Sequence, residues 1–222
     1  MSGWIIAGIA IIAGFFTGKI SRKPLADIIA WGSAVVWVIA GKLCVSVFSP
    51  AVQMLALVFL LFTGMKTVVV VYRSPRASRL NFRRWLCFVL IWPGMNPYAF
   101  EPGGVEKMDW KLFGRGAMHF FSGTVLLCLL AGLLQTDLLS LYWLCLLSFP
   151  AFILIFHSGI FEMEAACLRK WGIAASPLMD APQRSLSLGA FWGKRWNIPF
   201  IQMTRYTVFK PLLKKTNRHI AF

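Results

Sequence analysis

The sequence predicts an all-α fold, that of a polytopic helical membrane protein, and three observations carry that reading. Hydrophobic residues make up 58% of the 222 and charged residues only 14%, with a mean hydropathy of +0.68, far from an ordinary soluble domain. Several stretches reach or approach the roughly 20 apolar residues needed to cross a hydrocarbon core. The net charge of +15 falls mostly between those stretches, where Lys and Arg orient a chain and meet anionic headgroups or ligands. This pattern makes membrane lipids a partner and excludes nucleic acid.

The first span, at about residues 4–20, has its apolar core from Trp4 to Thr17. It resembles a signal-peptide core in length, but its basic cluster, Lys19, Arg22 and Lys23, follows instead of preceding it, so it is expected to be retained. Gly14 and Gly18 have the small-xxx-small spacing that lets helices approach closely, with intramolecular packing the commoner use and dimerisation the rarer. A second span covers about 25–48, with Asp27 near its start and Lys42 near its end, positions that suit the helix dipole and snorkelling. Pro50 opens a third, at about 51–72, and Arg73, Arg76, Arg79, Arg83 and Arg84 follow on the expected cytoplasmic side. Lys42 and Lys66 are intramembrane charges without obvious carboxylate partners, which disfavours a transporter.

Residues 85–97 begin with an apolar piece, Trp85 to Trp92, too short to span. Pro93-Gly94-Met95-Asn96-Pro97 closes it and cannot continue a helix, which predicts a re-entrant or interfacial segment. Two further spans, at about 117–134 and 138–157, are joined by the turn Gln135-Thr136-Asp137. The distribution of basic residues then gives one topology. The N-terminus lies outside, while the loops around 19–23, 73–84 and 107–115, and everything after about residue 158, lie inside. Together these elements predict one membrane domain, 1–222, with five spans, the re-entrant piece and a cytoplasmic-side region at 181–222. That last region carries eight Lys or Arg and no acid, interleaved with aromatic side chains, and reads by composition as a basic interfacial belt.

The five cysteines show no CxxC spacing, so neither a zinc site nor a disulfide framework is indicated. His119 and His157 fall at similar expected depth, and Glu164 follows His157 by seven residues, on one helix face if the helix continues. A metal site or proton relay is one use of that trio. Ordinary interfacial hydrogen bonding is the commoner one, and no metal is assigned.

Within the basic region, Phe191-Trp192-Gly193-Lys194-Arg195-Trp196-Asn197 follows Ser185-Leu186-Ser187-Leu188. This run resembles the "SL.DFWGRRWN" signature of the wax synthase-like branch of the membrane-bound O-acyltransferases. Upstream, Trp92 to Phe100 is similar to that branch's "PGM.P..F" segment. The resemblance covers the chain from about residue 80. It implies transfer of an acyl group from acyl-coenzyme A, as co-substrate and with no other cofactor, to the hydroxyl of a lipophilic long-chain or sterol-like alcohol, giving an ester.

On that resemblance Asn197 is the catalytic candidate, its amide donating to the thioester oxygen or orienting a base, with a loop cap as the structural alternative. Lys194 and Arg195 would meet coenzyme phosphates or lipid headgroups. Trp192 and Trp196, flanking Gly193, would exclude water from the thioester or anchor at the interface. The family's catalytic His lies on an apolar helix after the Asn motif. Here His219 sits in a basic, polar stretch with three residues after it, so the equivalent His is expected beyond Phe222. The alternative is a non-catalytic membrane scaffold or acyl-lipid-binding protein that keeps the fold and lacks the His.

Overall fold

The computed structural model describes residues 2–73, 79–104, 106–136 and 139–213. In chain order its helices are α1 (Ser2–Thr17), α2 (Lys23–Val45), α3 (Pro50–Arg73), α4 (Phe82–Leu86), α5 (Trp110–Leu133), α6 (Leu141–Phe152), α7 (Phe161–Lys170), α8 (Leu188–Ala190), α9 (Ile198–Thr204) and α10 (Lys210–Leu213). No strand occurs among the described residues. Among the described residues four helical runs are long and apolar enough to cross a membrane: α2, α3, α5 and the continuous run Leu141–Lys170. The 24 residues of α3 rise about 36 Å, against a hydrocarbon core of about 30 Å. The sequence predicts five spans. The first of them, α1, is apolar but has 16 residues and rises about 24 Å.

Contacts group the chain into two compact units, Met1–Glu101 with Pro199–Phe222, and Pro102–Ile198. In the first, α2 and α3 pack along a strip of small residues. Ala26, Ala30 and Ala34 recur every four positions on one face of α2 and meet Val68 and Val71 of α3. At Gly64 a Cβ would lie 2.8 Å from Ala34 Cα, so the backbones approach there only because both side chains are small. Between these helices Gln53 donates to the carbonyls of Ser46 and Phe48, at 3.2 and 2.8 Å, and accepts from Lys42 at 2.8 Å.

The Gly14/Gly18 pair works within the chain. A Cβ on Gly14 would sit 2.4 Å from Thr67 Oγ1 and 2.8 Å from the Trp85 ring, and one on Gly18 3.0 Å from Val70. Trp85 is buried, and its indole N–H donates to Ile11 O at 2.9 Å, fixing α4 against α1.

Asn81 caps α4 by accepting from Arg84 N at 2.8 Å. The helix continues through a π-helical turn, Cys87–Ile91, and stops at Trp92, whose backbone is extended. Ten residues of helix rise about 15 Å, too little to span. Lys66, buried in mid-α3, donates to the carbonyls of Phe88 and Trp92 at the end of this run.

In the second unit Asp109 caps α5, accepting from Leu112 N at 2.9 Å. Gly116 and Gly123 of α5 face Gly159 O and Ala151 O, each within 3 Å of where a Cβ would be. The large residues Met118, Phe121, Val125 and Leu129 lie exposed along another face of the same helix. Small residues inside and large apolar ones outside suit a helix whose solvent is lipid.

Two predicted ends differ. The span predicted at 117–134 begins at Trp110, because Asp109 supplies a cap and Arg115 has a partner. The one predicted at 138–157 runs on to Lys170. Hydropathy falls after residue 160, but the helix does not end until Lys170, and Gly172 lies in its C-terminal cap. There, at φ +68°, Gly172 N donates to Arg169 O at 3.0 Å and Ile173 N to Leu168 O at 3.1 Å.

Candidate functional site

The stretch singled out by its sequence is locally ordered by its own residues. Ser187 Oγ accepts from Ala190 N at 3.1 Å and starts the short α8. A π-helical turn, Phe191–Arg195, follows and is closed by Trp196 N donating to Phe191 O at 2.8 Å. That wider turn brings residue 196 back over residue 191. The Phe191 and Trp196 rings stack with centroids 5.3 Å apart and planes 15° apart, and Trp192 meets both edge-on, at 4.9 and 6.1 Å. Trp192 remains 60% exposed, so the cluster presents an aromatic surface and is not a closed core.

Asn197 comes next, with a left-handed backbone at φ +46°. Asn adopts this region more readily than other residues with a side chain, so one reason for Asn here is conformational. Its side chain is exposed. The following amide, Ile198 N, donates to Leu178 O at 2.9 Å, so the chain reverses at Asn197 and is pinned on both sides.

Arg195 supplies the second pin. Its Nη1 donates to Asp180 O at 2.9 Å and lies 3.5 Å from Asp180 Oδ2 and Ala181 O, while its own carbonyl accepts from Asp180 N at 2.9 Å. Arg195 is therefore already engaged in holding residues 180–181 against the motif. Lys194 is exposed, and Gly193 has open space where a Cβ would go. His219 lies outside the described residues.

No family model matches this chain, and neither a curated protein nor a solved structure is detectably similar to it. The site's chemistry therefore rests on its residues.

The histidine trio is arranged differently from the spacing argument. His119 Nδ1 lies 3.2 Å from Ser158 O and 3.7 Å from Glu162 Oε2, so Glu162, and not Glu164, is the carboxylate beside it. A backbone carbonyl only accepts, so Nδ1 is the donor in the contact with Ser158. Glu162 is buried and takes a two-pronged pair from Arg115, Nε at 2.8 Å and Nη2 at 3.0 Å. His157 packs edge-on against the Phe161 ring. Among the described residues no group of three or more His, Cys, Asp or Glu is placed to hold a metal ion.

Sequence reasoning missed Glu162 and Asp109. The signal for Asp109 was present, an Asp directly before an apolar-periodic run. Besides Leu112 N, Asp109 takes Arg169 Nη1 at 2.5 Å, and Arg169 Nε donates to Ala175 O at 2.9 Å. The Leu112 N–H first, and then the Arg169 charge, hold the Asp109 carboxyl below its ordinary range.

Proposed function

We propose that the protein is a membrane-bound O-acyltransferase, passing an acyl group from acyl-coenzyme A to the hydroxyl of a lipophilic alcohol. One observation carries this reading: the exposed Asn197 amide sits at a pinned reversal of the chain, directly after a partly exposed cluster of Phe191, Trp192 and Trp196. A polar donor fixed beside an apolar, aromatic surface is what a thioester with a long acyl tail requires. As the alcohol oxygen attacks, the carbonyl oxygen gains negative charge, which an amide N–H₂ stabilises, and the C–S bond then breaks. The coenzyme leaves as the thiol, taking up the proton that a base removed from the alcohol. That base is the family's His, expected after the motif.

In the same reading α1 is a fifth span, residues 85–97 are re-entrant, and the N-terminus lies outside. The motif then lies on the cytoplasmic side, where acyl-coenzyme A is available, and the alcohol enters from the bilayer.

The test is esterification of a labelled fatty alcohol by membranes carrying the full-length protein, supplied with acyl-coenzyme A. Ester formation that falls with Asn197→Gly supports the assignment. Saturable thioester binding with no consumption of it replaces the enzyme with an acyl-lipid-binding scaffold.

A further inference from the structure

Where the first residue of α2 meets the last residues of α3, the first unit holds a cleft of about 790 Å³ whose walls include Lys23, Tyr72, Arg73, Tyr98, Tyr206 and Lys210. Each cation there rests on an aromatic face. Lys23 Nζ is 4.2 Å from the Tyr72 ring centre. The Arg73 guanidinium carbon is 3.8 Å from that of Tyr206 and 4.4 Å from that of Tyr98, and Lys210 Nζ is 4.4 Å from that of Tyr206. Three of the chain's four tyrosines are gathered here.

The one carboxylate in the wall, Asp27, accepts from Lys23 one helical turn away. Arg73 Nη2 donates to the neutral amide oxygen of Asn96 at 2.9 Å. Among the described residues neither Arg73 nor Lys210 has a carboxylate within ion-pair distance. Three cations and one acid leave two positive charges facing a cleft large enough for a headgroup. Tyrosine rings hold such cations in place without neutralising them, and two of the phenols are tied to the protein, Tyr98 OH donating to Arg73 O and Tyr72 OH accepting from Trp31 Nε1 at 3.2 Å.

We infer that this cleft is a binding site for a phosphate group. Its place at the ends of two apolar helices of spanning length is the depth of a lipid headgroup. A soluble phosphate ester shares the same chemistry. The site shares no residue with the acyl-transfer motif and does not depend on that assignment.

The test uses the full-length protein purified in detergent, with bound phosphatidic acid counted by native mass spectrometry. Lys23→Gln with Lys210→Gln is compared with Lys111→Gln and Lys170→Gln, exposed lysines of the other unit whose loss removes the same charge. The cleft pair is expected to weaken phosphatidic acid binding about tenfold, and the control pair less than about twofold, with both variants keeping the parent melting curve. Competition by pyrophosphate would assign the site to a soluble phosphate, and its failure to compete would assign it to the lipid headgroup. Equal weakening by both pairs, or by neither, overturns the inference.

Discussion

Lys66, in the middle of α3, donates its ammonium protons to the carbonyl oxygen of Trp92, 26 residues further on, as well as to that of Phe88. A buried lysine needs acceptors around its amine. This one is set against the carbonyl end of the Phe82–Ile91 helical run, where the backbone dipoles concentrate negative potential and unpaired oxygens need donors. The Phe88 ring, 4.6 Å from the ammonium, adds to that field. One side chain therefore closes off the helix that the Pro93 to Pro97 segment cannot extend.

Replacing it is costly. Lys66→Met keeps the volume and removes the donor, leaving buried carbonyls unsatisfied at about 1–3 kcal/mol each. The expected result is a clear drop in the detergent melting temperature, and an unchanged one would mean that water replaces the ammonium.

The glycine seam of α1 gives a matched pair. Gly14→Ala drives a methyl into Thr67 and Trp85 and is expected to cost about 1–3 kcal/mol. Gly8→Ala meets nothing within 4 Å and is expected to be neutral or slightly stabilising. If chemical denaturation ranks the two alike, α1 is not docked through Gly14.

At Asn197 backbone and amide roles separate. Asn197→Gly relieves the left-handed conformation and removes the amide, whereas Asn197→Ala removes the amide and adds strain. Under the acyltransferase reading both lose turnover by about 10²–10³-fold. Turnover that survives in the Gly variant and fails in the Ala variant would reduce Asn197 to a turn residue.

The Asp109 carboxyl, held below its ordinary value of 3.8 by Leu112 N–H and Arg169, makes an acid-sensitive link. A depressed pKa contributes stability that is fully present above the ordinary carboxylate value and is lost as pH falls through the lowered one. Hydrogen-exchange protection of the first turn of α5 should thus be flat from neutral pH down to about 4 and decline below it. Asp109→Asn should be less protected at neutral pH and lack that decline. Parallel curves for variant and parent would remove Asp109 as the cause.

Much of the fold was legible because long apolar runs set the lengths of its helices directly. The apolar lengths of α2, α3 and α5, the arginines after α3 and the proline stop after Trp92 are local properties. Helix ends were less so. The sequence gives hydropathy, but α7 persists through Glu162 to Lys170, where Glu162 is sheltered by Arg115, 47 residues earlier in the chain. Such pairings leave no trace in spacing. The wider turns at 87–91, 153–160 and 191–195 were invisible too, since a π turn differs from an α turn by one hydrogen-bond step and not by residue type. At the motif, the aromatic residues and a loop role for Asn197 could be read from the sequence, while its left-handed backbone, the Ser187 cap and the use of Arg195 as a backbone clamp could not.

The π segment at Ile153–Ile160 has a consequence for how this chain tolerates length changes. A π turn is geometrically a residue inserted into an α-helix, and it resets the angular phase of all that follows by roughly 100°. Ala151 ahead of the segment and Met163 beyond it both face glycines of α5, and Glu162 faces Arg115, only with that phase offset in place. Deleting one residue there would remove the wide turn and leave the flanks in phase, whereas a regular α-helix of unchanged length would swing the buried acid about 100° away from its cation. In this protein the irregular turn is the alignment device, and straightening it at constant length would be the damaging change.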